Sequence, residues 1–450
     1  MKDLTIIEER FGMKKTLGIR REDKNKWERR VPIIPEDVKA LQENFGIQTI
    51  VQPSNLRIYP DVMYKENNAV VDEDLSRVAT IFAVKEIPTP LLAASKTYIF
   101  FSHTIKGQPY NMGMLKQLMA LKCNLIDYER IVNEKNQRLI FFGAHAGYAG
   151  MIETLMAFGQ KLKLKHIDSP FAQILQAYEY DSLEAAQDHI RQISHEISQQ
   201  GLPRDICPLI VGFAGYGNVS KGAQEIFDLL PVKEISPDQM EEIRSNPAVD
   251  CHHLYKVVFK EKDMVKPLKG DFELQSYYDH PENYTSVMGQ HLPLMDILVN
   301  CIYWTKKYPR LVTKAWLKDQ AVAKSVSHLS VIGDISCDIE GSIEITKDAT
   351  MPDHACFTYF PDTDIFEDRI CRDGLTVMAI DNLPCEFPKE ASMFFSNILK
   401  EFANDIVSAD FDSPFETLEL PYPVKKALIL HRGCLTPDYT YMKQFIDKEQ

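Results

Sequence analysis

A glycine-rich turn near the middle of the chain limits the possible folds more than any other feature. The apolar run 209–214 leads into Gly215, Gly217 and Gly222, after which an amphipathic segment occupies residues 223–230. This pattern indicates a strand, a tight turn and the start of a helix, where backbone N–H groups and the helix dipole can bind a pyrophosphate. Roughly two hundred residues precede the turn and are predicted to build a further domain.

The glycine fingerprint is imperfect, because Ser220 stands where a third glycine is usual. The following strand, predicted over 232–236, ends in Ser236 and not in the Asp or Glu that holds the ribose 2′-hydroxyl of NAD. Lys221 and Lys233 are candidates for a 2′-phosphate, although each is also typical of a solvated surface. NADP(H) is therefore favoured over NAD(H). The predicted cofactor-binding residues here are Gly215, Gly217, Asn218, Val219, Ser220, Gly222 and Ser236.

Bulk composition narrows the class of protein. The net charge of −13 over 450 residues argues against binding to nucleic acids or anionic membranes. No apolar run reaches the roughly 18 residues of a membrane helix, and the first ten residues are too charged for a signal peptide. The nine scattered cysteines have no C-x-x-C spacing, which predicts free thiols and no structural zinc. The prediction is a soluble, cytoplasmic protein without a metal.

Short apolar runs alternate with helical segments on both sides of the glycine turn. The clearest runs are 16–19, 47–51, 80–84, 97–101, 124–127, 297–303, 330–334 and 376–380. Such alternation predicts parallel βαβ units. Residues 231–291 are longer and more polar than a simple crossover requires, and they are predicted to be an insertion.

Two polar side chains follow consecutive apolar runs in the N-terminal part. Lys85 follows the run 80–84, and His103 comes soon after the run 97–101. If these runs are adjacent parallel strands, both side chains lie at the same edge of the sheet. Repulsion between their positive charges is then expected to make one of the two groups lose its proton nearer neutral pH. Such a pair suits acid–base chemistry on an amine or a carbonyl, whereas either residue alone is more typical of a structural or surface position.

Two arginines, Arg20 and Arg30, bracket a charged loop after the first predicted strand. Guanidinium groups bind carboxylates in a fork, so two arginines near a cleft predict a carboxylate-bearing substrate. A solvated ion pair is the alternative for each of them.

Several segments, colinear from about residue 15 to near the C-terminus, resemble the lysine–2-oxoglutarate reductase part of bifunctional aminoadipic semialdehyde synthase. These segments are 18–35, 84–86, 100–106, 125–129, 142–150, 217–223, 301–304, 334–336, 341–344 and 380–384. The wider family includes the lysine-forming saccharopine dehydrogenases, alanine dehydrogenase and the nucleotide-binding part of transhydrogenase.

The resemblance implies an α/β protein with two Rossmann-like, doubly wound parallel-sheet domains and an interdomain cleft. Residues 1–142 with 385–450 are expected to form the substrate domain, and 143–384 the dinucleotide-binding domain with its insertion at about 231–291. The resemblance makes Lys85 and His103 the acid–base pair. It further implies substrate contacts at Arg20, Arg30, Glu86, Glu129 and Arg138, and a nucleotide-facing aspartate at Asp381.

The implied reaction is condensation of L-lysine with 2-oxoglutarate, followed by reduction of the imine with NAD(P)H to saccharopine in lysine catabolism. Because the sequence stops at residue 450, a separate saccharopine-oxidising enzyme is an expected partner. One alternative is reductive amination of another 2-oxo acid on the same scaffold, as in alanine dehydrogenase. Another is a catalytically silent nucleotide-binding regulator, which the intact Lys85 and His103 argue against.

Overall fold

The computed structural model describes residues 15–322 and 327–446. They form two compact units. The first unit holds the described residues up to Phe142 and from Pro388 onward, and the second unit is Gly143–Phe387. Each unit is built on an eight-stranded sheet with accompanying helices, which confirms the predicted α/β class.

Strands and helices alternate along most of the described chain. The strands are β1 (Thr16–Ile19), β2 (Gln48–Val51), β3 (Val70–Val71), β4 (Thr80–Phe82), β5 (Thr97–Phe100), β6 (Asn124–Asp127), β7 (Ile210–Ala214), β8 (Val232–Glu234), β9 (Leu254–Phe259), β10 (Val265–Pro267), β11 (Tyr284–Ser286), β12 (Ile297–Asn300), β13 (Val331–Asp334), β14 (Cys356–Phe360), β15 (Ile365–Glu367), β16 (Leu375–Met378), β17 (Leu428–His431) and β18 (Cys434–Leu435). The α-helices are α1 (Pro35–Phe45), α2 (Asp61–Glu66), α3 (Pro109–Ala120), α4 (Gly143–Leu164), α5 (Leu183–Gln200), α6 (Asn218–Phe227), α7 (Met240–Ser245), α8 (Glu261–Met264), α9 (Leu274–Asp279), α10 (Lys314–Val322), α11 (Pro388–Ser408), α12 (Tyr422–Ala427) and α13 (Lys443–Ile446). None of these described helices combines the length and apolar character that crossing a membrane demands.

The sheet of the first unit has the strand order β18-β17-β6-β5-β4-β1-β2-β3. Strands β1 to β6 run parallel. Every residue of β4, β5 and β6 is buried, as is typical of parallel strands covered on both faces. The direction of winding reverses between β1 and β4, so the topological switch point of this sheet lies there.

The sheet of the second unit has the strand order β15-β14-β16-β13-β12-β7-β9-β8. Its winding reverses between β12 and β7, two parallel strands that pair along Ile297–Asn300. The glycine turn follows β7 and therefore lies at the switch point of this second sheet.

Each sheet also carries antiparallel strands at one end, a departure from the predicted purely parallel sheets. In the first unit β17 runs antiparallel to β6 and β18. In the second unit β14 runs antiparallel to β16 and β15. Short connections explain the outermost pairs, β17–β18 and β14–β15, because only antiparallel neighbours can be joined by a tight turn.

The predicted insertion at 231–291 is in part wrong, since this segment supplies two strands of the main sheet. Strand β9 pairs with both β7 and β8, whereas the hairpin β10–β11 forms a separate two-stranded sheet. The polar character that suggested an insertion comes partly from β8, an edge strand whose residues Lys233 and Glu234 are exposed.

The prediction that all cysteines are free thiols is wrong for one pair. Cys207 and Cys251 form a disulfide, with their Cα atoms 5.6 Å apart and a sequence separation of 44. Cys207 precedes β7 and Cys251 precedes β9, so the pairing of these two strands brings the sulfurs together. That pairing cannot be deduced from cysteine spacing.

Candidate active site

The carboxyl ends of β1 and β4 meet at the switch point of the first sheet, where open α/β sheets bind ligands. Arg20 follows β1 directly, and its backbone N–H donates to the carbonyl of Phe82 in β4 over 2.9 Å. The half-buried Lys85 and Glu86 follow β4 closely. The strand order therefore brings three of the predicted site residues to the same edge of the sheet.

His103 reaches that edge from the neighbouring strand. The two apolar runs before Lys85 and His103 are adjacent parallel strands, with Phe82 of β4 paired to Ile99 of β5. The chain turns at His103 with a φ of 48°, in the left-handed region. Helix α3 fixes this turn, because the Asn111 side chain donates to the carbonyl of His103 over 3.3 Å.

A carboxylate lies against the predicted histidine. Glu86 Oε1 is 2.5 Å from Nδ1 of His103, and Glu86 Oε2 is 3.2 Å from the Lys24 ammonium. Burial raises the pKa of Glu86, but the hydrogen bond with His103 and the two positive neighbours outweigh burial and lower the pKa to about 2. Glu86 is therefore ionised at neutral pH and orients the imidazole of His103.

The sequence analysis missed Glu22, which holds the backbone at the end of β4. Its two carboxylate oxygens accept hydrogen bonds from the N–H groups of Val84 and Lys85, over 2.7 and 2.9 Å. Burial, with Glu28 nearby, raises the pKa of Glu22 to about 7. The signal was present in the sequence, because Glu22 lies just after the first strand, within the charged loop that begins at Arg20.

The two predicted arginines of the loop are buried and bind carboxylates of the same loop. Arg20 forms an ion pair with Asp23. Arg30 binds Glu28 through two parallel contacts, Nε to Oε1 at 2.8 Å and NH2 to Oε2 at 2.6 Å. Its guanidinium also lies 4.5 Å from the centre of the Phe142 ring. Both guanidinium groups are thus held rigidly in place.

Glu129 and Arg138 form a second, more exposed cluster of the first unit. Arg138 NH1 lies 3.4 Å from Glu129 Oε1, and the Arg138 side chain is 43% exposed. The backbone N–H of Glu129 donates to Asp127 at the end of β6, which also accepts the Ser102 hydroxyl. Burial raises the pKa of Asp127 to about 6. This chain of contacts links β6 to the segment that carries His103.

In the second unit, the glycine turn has the backbone geometry that a pyrophosphate requires. Gly215 adopts a φ of 94°, which only glycine adopts readily. Gly217 is the N-cap of α6, and a Cβ there would have no neighbour within 4 Å. A side chain at this position would therefore meet open space, and the first N–H groups of α6 are those of Asn218 and Val219. These residues fit the phosphates of a dinucleotide.

The role of the third fingerprint glycine is divided between neighbouring residues. Ser220 is fully buried, and its hydroxyl accepts a hydrogen bond from Gln224 over 2.9 Å. Gly222 provides the close approach, since a Cβ there would lie 2.3 Å from the Ala144 carbonyl oxygen of α4. Gly147 of α4 has the reciprocal role, because its Cβ would lie 2.1 Å from the carbonyl of Val219. Helices α4 and α6 thus pack backbone to backbone.

Two predicted cofactor residues do not lie beside the turn. Ser236 follows β8, which is separated from β7 by β9, and its hydroxyl lies 3.1 Å from Gln239 Oε1. Asp381 follows β16, which is separated from β7 by β13 and β12. Ser236 follows the next strand along the chain, but the strand that lies beside β7 in the sheet is β9.

Comparison with known proteins agrees with this architecture. Residues 18–149 match the family model described as "Alanine dehydrogenase/PNT, N-terminal domain". A solved structure titled "L-alanine dehydrogenase" has a TM-score of 0.60 at 15% identity, covering 96% of this chain and 99% of its own. At that identity the likeness shows the fold alone, a Rossmann-type fold like that of alanine dehydrogenase.

The sequence relatives are more specific. "Alpha-aminoadipic semialdehyde synthase" of Arabidopsis thaliana is 38% identical over 443 residues, which are 95% of this chain and 41% of the relative. "Saccharopine dehydrogenase (NAD(+), L-lysine-forming)" of Yarrowia lipolytica is 24% identical over 380 residues, covering 83% of this chain and 87% of the relative. These homologues confirm the resemblance predicted from the motifs. The chain spans less than half the length of the Arabidopsis relative.

Proposed function

We propose that this protein condenses L-lysine with 2-oxoglutarate and reduces the resulting imine to saccharopine, using a nicotinamide cofactor. The observation that carries the proposal is the Glu86–His103 contact of 2.5 Å beside Lys85 at the switch point of the first sheet. The names of the two sequence relatives support the same reaction class, a dehydrogenase acting on lysine or saccharopine.

Lys85 and His103 divide the proton transfers between them. The ε-amine of lysine attacks a ketone only when deprotonated, and Lys85 is the proposed base. The carbinolamine then loses water, and His103 is the proposed acid that protonates the leaving hydroxyl. Glu86 assists because its carboxylate holds Nδ1 of the imidazole and leaves Nε2 for the substrate.

Buried and exposed arginines are proposed to bind the substrate carboxylates. Arg20, Arg30 and Arg138 each already contact a carboxylate of the protein, so substrate binding adds to or exchanges these contacts. Glu129 is the proposed partner of a substrate ammonium group, because its carboxylate is only partly neutralised by Arg138 at 3.4 Å.

The second unit is proposed to hold the cofactor through Gly215, Gly217, Asn218, Val219, Ser220 and Gly222, and Asp381 is a further proposed contact. When bound, NADPH or NADH supplies the hydride that reduces the imine, and NADP(H) is the preferred form in this proposal. The partner is a separate saccharopine-oxidising enzyme. The cytoplasmic location stays a prediction from the sequence.

A cofactor-oxidation assay tests the reaction, with lysine and 2-oxoglutarate added singly and together. We expect oxidation of NADPH or NADH only when both are present, and a loss of at least about 100-fold in Lys85→Met with His103→Gln. Lys39→Met, an exposed lysine of α1, is the matched control and keeps full activity. If the wild-type protein oxidises neither NADPH nor NADH at any pH tested, the proposal is contradicted. Turnover of another amine and oxo acid favours the reductive amination alternative.

A further inference from the structure

The His103 turn, residues 103–107, leads from β5 towards α3 with a constrained backbone. His103 and Gly107 both adopt left-handed conformations, with φ values of 48° and 68°. The N–H of Gly107 donates to the carbonyl of Thr104 over 2.9 Å. A left-handed residue other than glycine keeps its conformation only where the surrounding structure holds it. The position of the His103 imidazole therefore depends on the contacts made to this turn.

The start of the His103 turn is held by buried polar side chains. Ser102 donates to Asp127 through both its N–H and its hydroxyl. The Asn111 amide donates to the carbonyls of Ser102 and His103, over 3.0 and 3.3 Å. These contacts fix the turn where it leaves β5, and its other end is held by a different part of the chain.

The end of the His103 turn is covered by residues 437–446, the C-terminal segment. The Tyr441 hydroxyl donates to the carbonyl of Ile105 over 2.8 Å. The ring of Phe445 lies so close to Gly107 that a Cβ there would overlap it. The two aromatic rings stand edge to face, with their centres 6.4 Å apart. A pair of aromatic side chains thus holds the carbonyl and the glycine at the end of this turn.

The C-terminal segment is itself anchored to the core of the first unit. Its first part, Pro437–Met442, is a 3-10 helix in which Tyr439 and Met442 share one face and are buried. The Tyr439 hydroxyl accepts a hydrogen bond from Nε of Arg130 over 3.1 Å, and Arg130 directly follows Glu129. Helix α13, the second part of the segment, packs against α3. The segment is therefore a fixed support against which the turn is held.

We propose that Tyr441 and Phe445 are positioning residues for His103 in the condensation reaction. The inference rests on the proposed function, in which His103 is the acid that protonates the leaving hydroxyl. Without the Tyr441 hydrogen bond and the Phe445 ring, the end of the turn is free to leave its left-handed conformation. The imidazole then loses its alignment with Glu86. Because proton transfer depends on placement to within about 1 Å, the chemical step slows while substrate binding is largely kept.

The test variant is the full chain with Tyr441→Phe and Phe445→Ala, and the first measurement is amide hydrogen exchange of residues 103–107. We expect exchange there to become at least about tenfold faster, because both contacts that hold the end of the turn are removed. Peptides from α1 and β2 of the first unit should keep their exchange, which separates release of the turn from unfolding of the unit. Tyr422→Phe, an exposed tyrosine of α12, is the matched control for the lost hydroxyl and leaves exchange unchanged.

Turnover of lysine with 2-oxoglutarate is the second measurement. We expect kcat to fall about tenfold in the test variant, with KM for each substrate and Kd for NADPH changed by less than about twofold. Tyr441→Phe with Phe445→Leu keeps an apolar side chain over Gly107, so its kcat should stay within about threefold of wild type.

The His103→Gln background separates positioning from general stabilisation. A side chain that acts only through His103 loses its effect once His103 is absent. We therefore expect Tyr441→Phe with Phe445→Ala to change the residual turnover of His103→Gln by less than about twofold. A further loss of about tenfold in that background would indicate a purely structural role and overturn the inference.

Unchanged exchange at residues 103–107 would overturn the inference, and so would full turnover in a variant whose exchange has risen. The exchange measurement needs no substrate, so it decides separately whether the C-terminal segment holds the turn. The proposed reaction fails differently. If the variant loosens the turn as expected but the wild-type protein never turns over lysine with 2-oxoglutarate, the reaction alone is contradicted.

Discussion

The switch points of the two sheets are built differently, the first from side chains and the second from backbone. In the first unit the edge is formed by charged side chains that hold one another, as Glu86 holds His103 and Glu28 holds Arg30. In the second unit the edge at the glycine turn is formed by backbone, with Gly215 in a left-handed conformation and Gly222 against α4. In the proposed function the same topology thus serves proton chemistry in one unit and phosphate binding in the other.

The difference has an energetic consequence. Partly buried charges such as those of Glu86 and Arg30 are tolerated in the first unit because a charged partner offsets their loss of hydration. The glycine turn contains no such pairs and depends instead on the absence of side chains. We therefore expect the first site to respond to charge and pH, and the second to respond to added volume.

The largest expected effect on stability is that of Gly222→Ala. The new Cβ would lie 2.3 Å from the Ala144 carbonyl oxygen, so α4 and α6 must separate, at a cost of about 3 to 4 kcal/mol in the free energy of unfolding. Gly217→Ala is the matched control, since its Cβ meets nothing within 4 Å and the cost should stay below about 1 kcal/mol. Urea unfolding measures both, and equal effects would contradict the packing account.

Loss of the disulfide should affect the second unit and leave the first unchanged. Cys251→Ser removes the link between the residues before β7 and β9, which should lower the free energy of unfolding by about 2 to 3 kcal/mol. Cys434→Ser, a free and exposed cysteine of the first unit, is the control. Hydrogen exchange of peptides from each unit provides the readout. Equal loss of protection in both units would contradict the expectation.

Glu22→Gln tests the response of the first site to pH. The pKa of Glu22 is raised from its ordinary 4.5 to about 7, so its contribution to stability is complete below pH 4.5 and is lost as the pH rises to 7. Wild-type stability should therefore fall relative to Glu22→Gln across this window and run parallel to it at higher pH. Urea unfolding below, within and above the window measures the difference, and parallel profiles throughout would count against the raised pKa.

The smallest expected effect on stability is that of Arg138→Ala. Its ion pair with Glu129 is exposed, so the melting temperature should change little, corresponding to less than about 1 kcal/mol. If Arg138 binds a substrate carboxylate, the variant instead raises KM for 2-oxoglutarate and leaves kcat nearly unchanged. Initial rates over a range of 2-oxoglutarate concentrations separate the two parameters, and an unchanged KM would remove Arg138 from the proposed site.

Sequence reasoning succeeded where the signal is local. The apolar runs before Lys85 and His103 are adjacent strands, and the glycine turn lies between β7 and α6, as predicted. These features could be predicted because the patterns of strands, turns and helices depend on consecutive residues. The homologues likewise confirm a resemblance that rested on short motifs.

Prediction from the sequence failed where a contact depends on the pairing of strands that are far apart in the chain. Strand β9 lies between β7 and β8, which moves Ser236 away from the turn and brings Lys260 beside it, and no local pattern encodes that order. The Cys207–Cys251 disulfide depends on the same pairing. The contact of Glu22 with the end of β4 is also long-range, although its position after the first strand could have marked it for inspection.

The central claim is that the first unit supplies the acid–base residues and the second unit binds the cofactor. One pair of measurements on a single variant tests this claim most directly. The variant carries Lys85→Met and His103→Gln, both in the first unit, and the measurements are NADPH affinity by fluorescence titration and turnover of lysine with 2-oxoglutarate. We predict that turnover falls at least about 100-fold while the Kd for NADPH changes less than about twofold. Retained turnover, or a loss of NADPH binding equal to the loss of turnover, would contradict the claim.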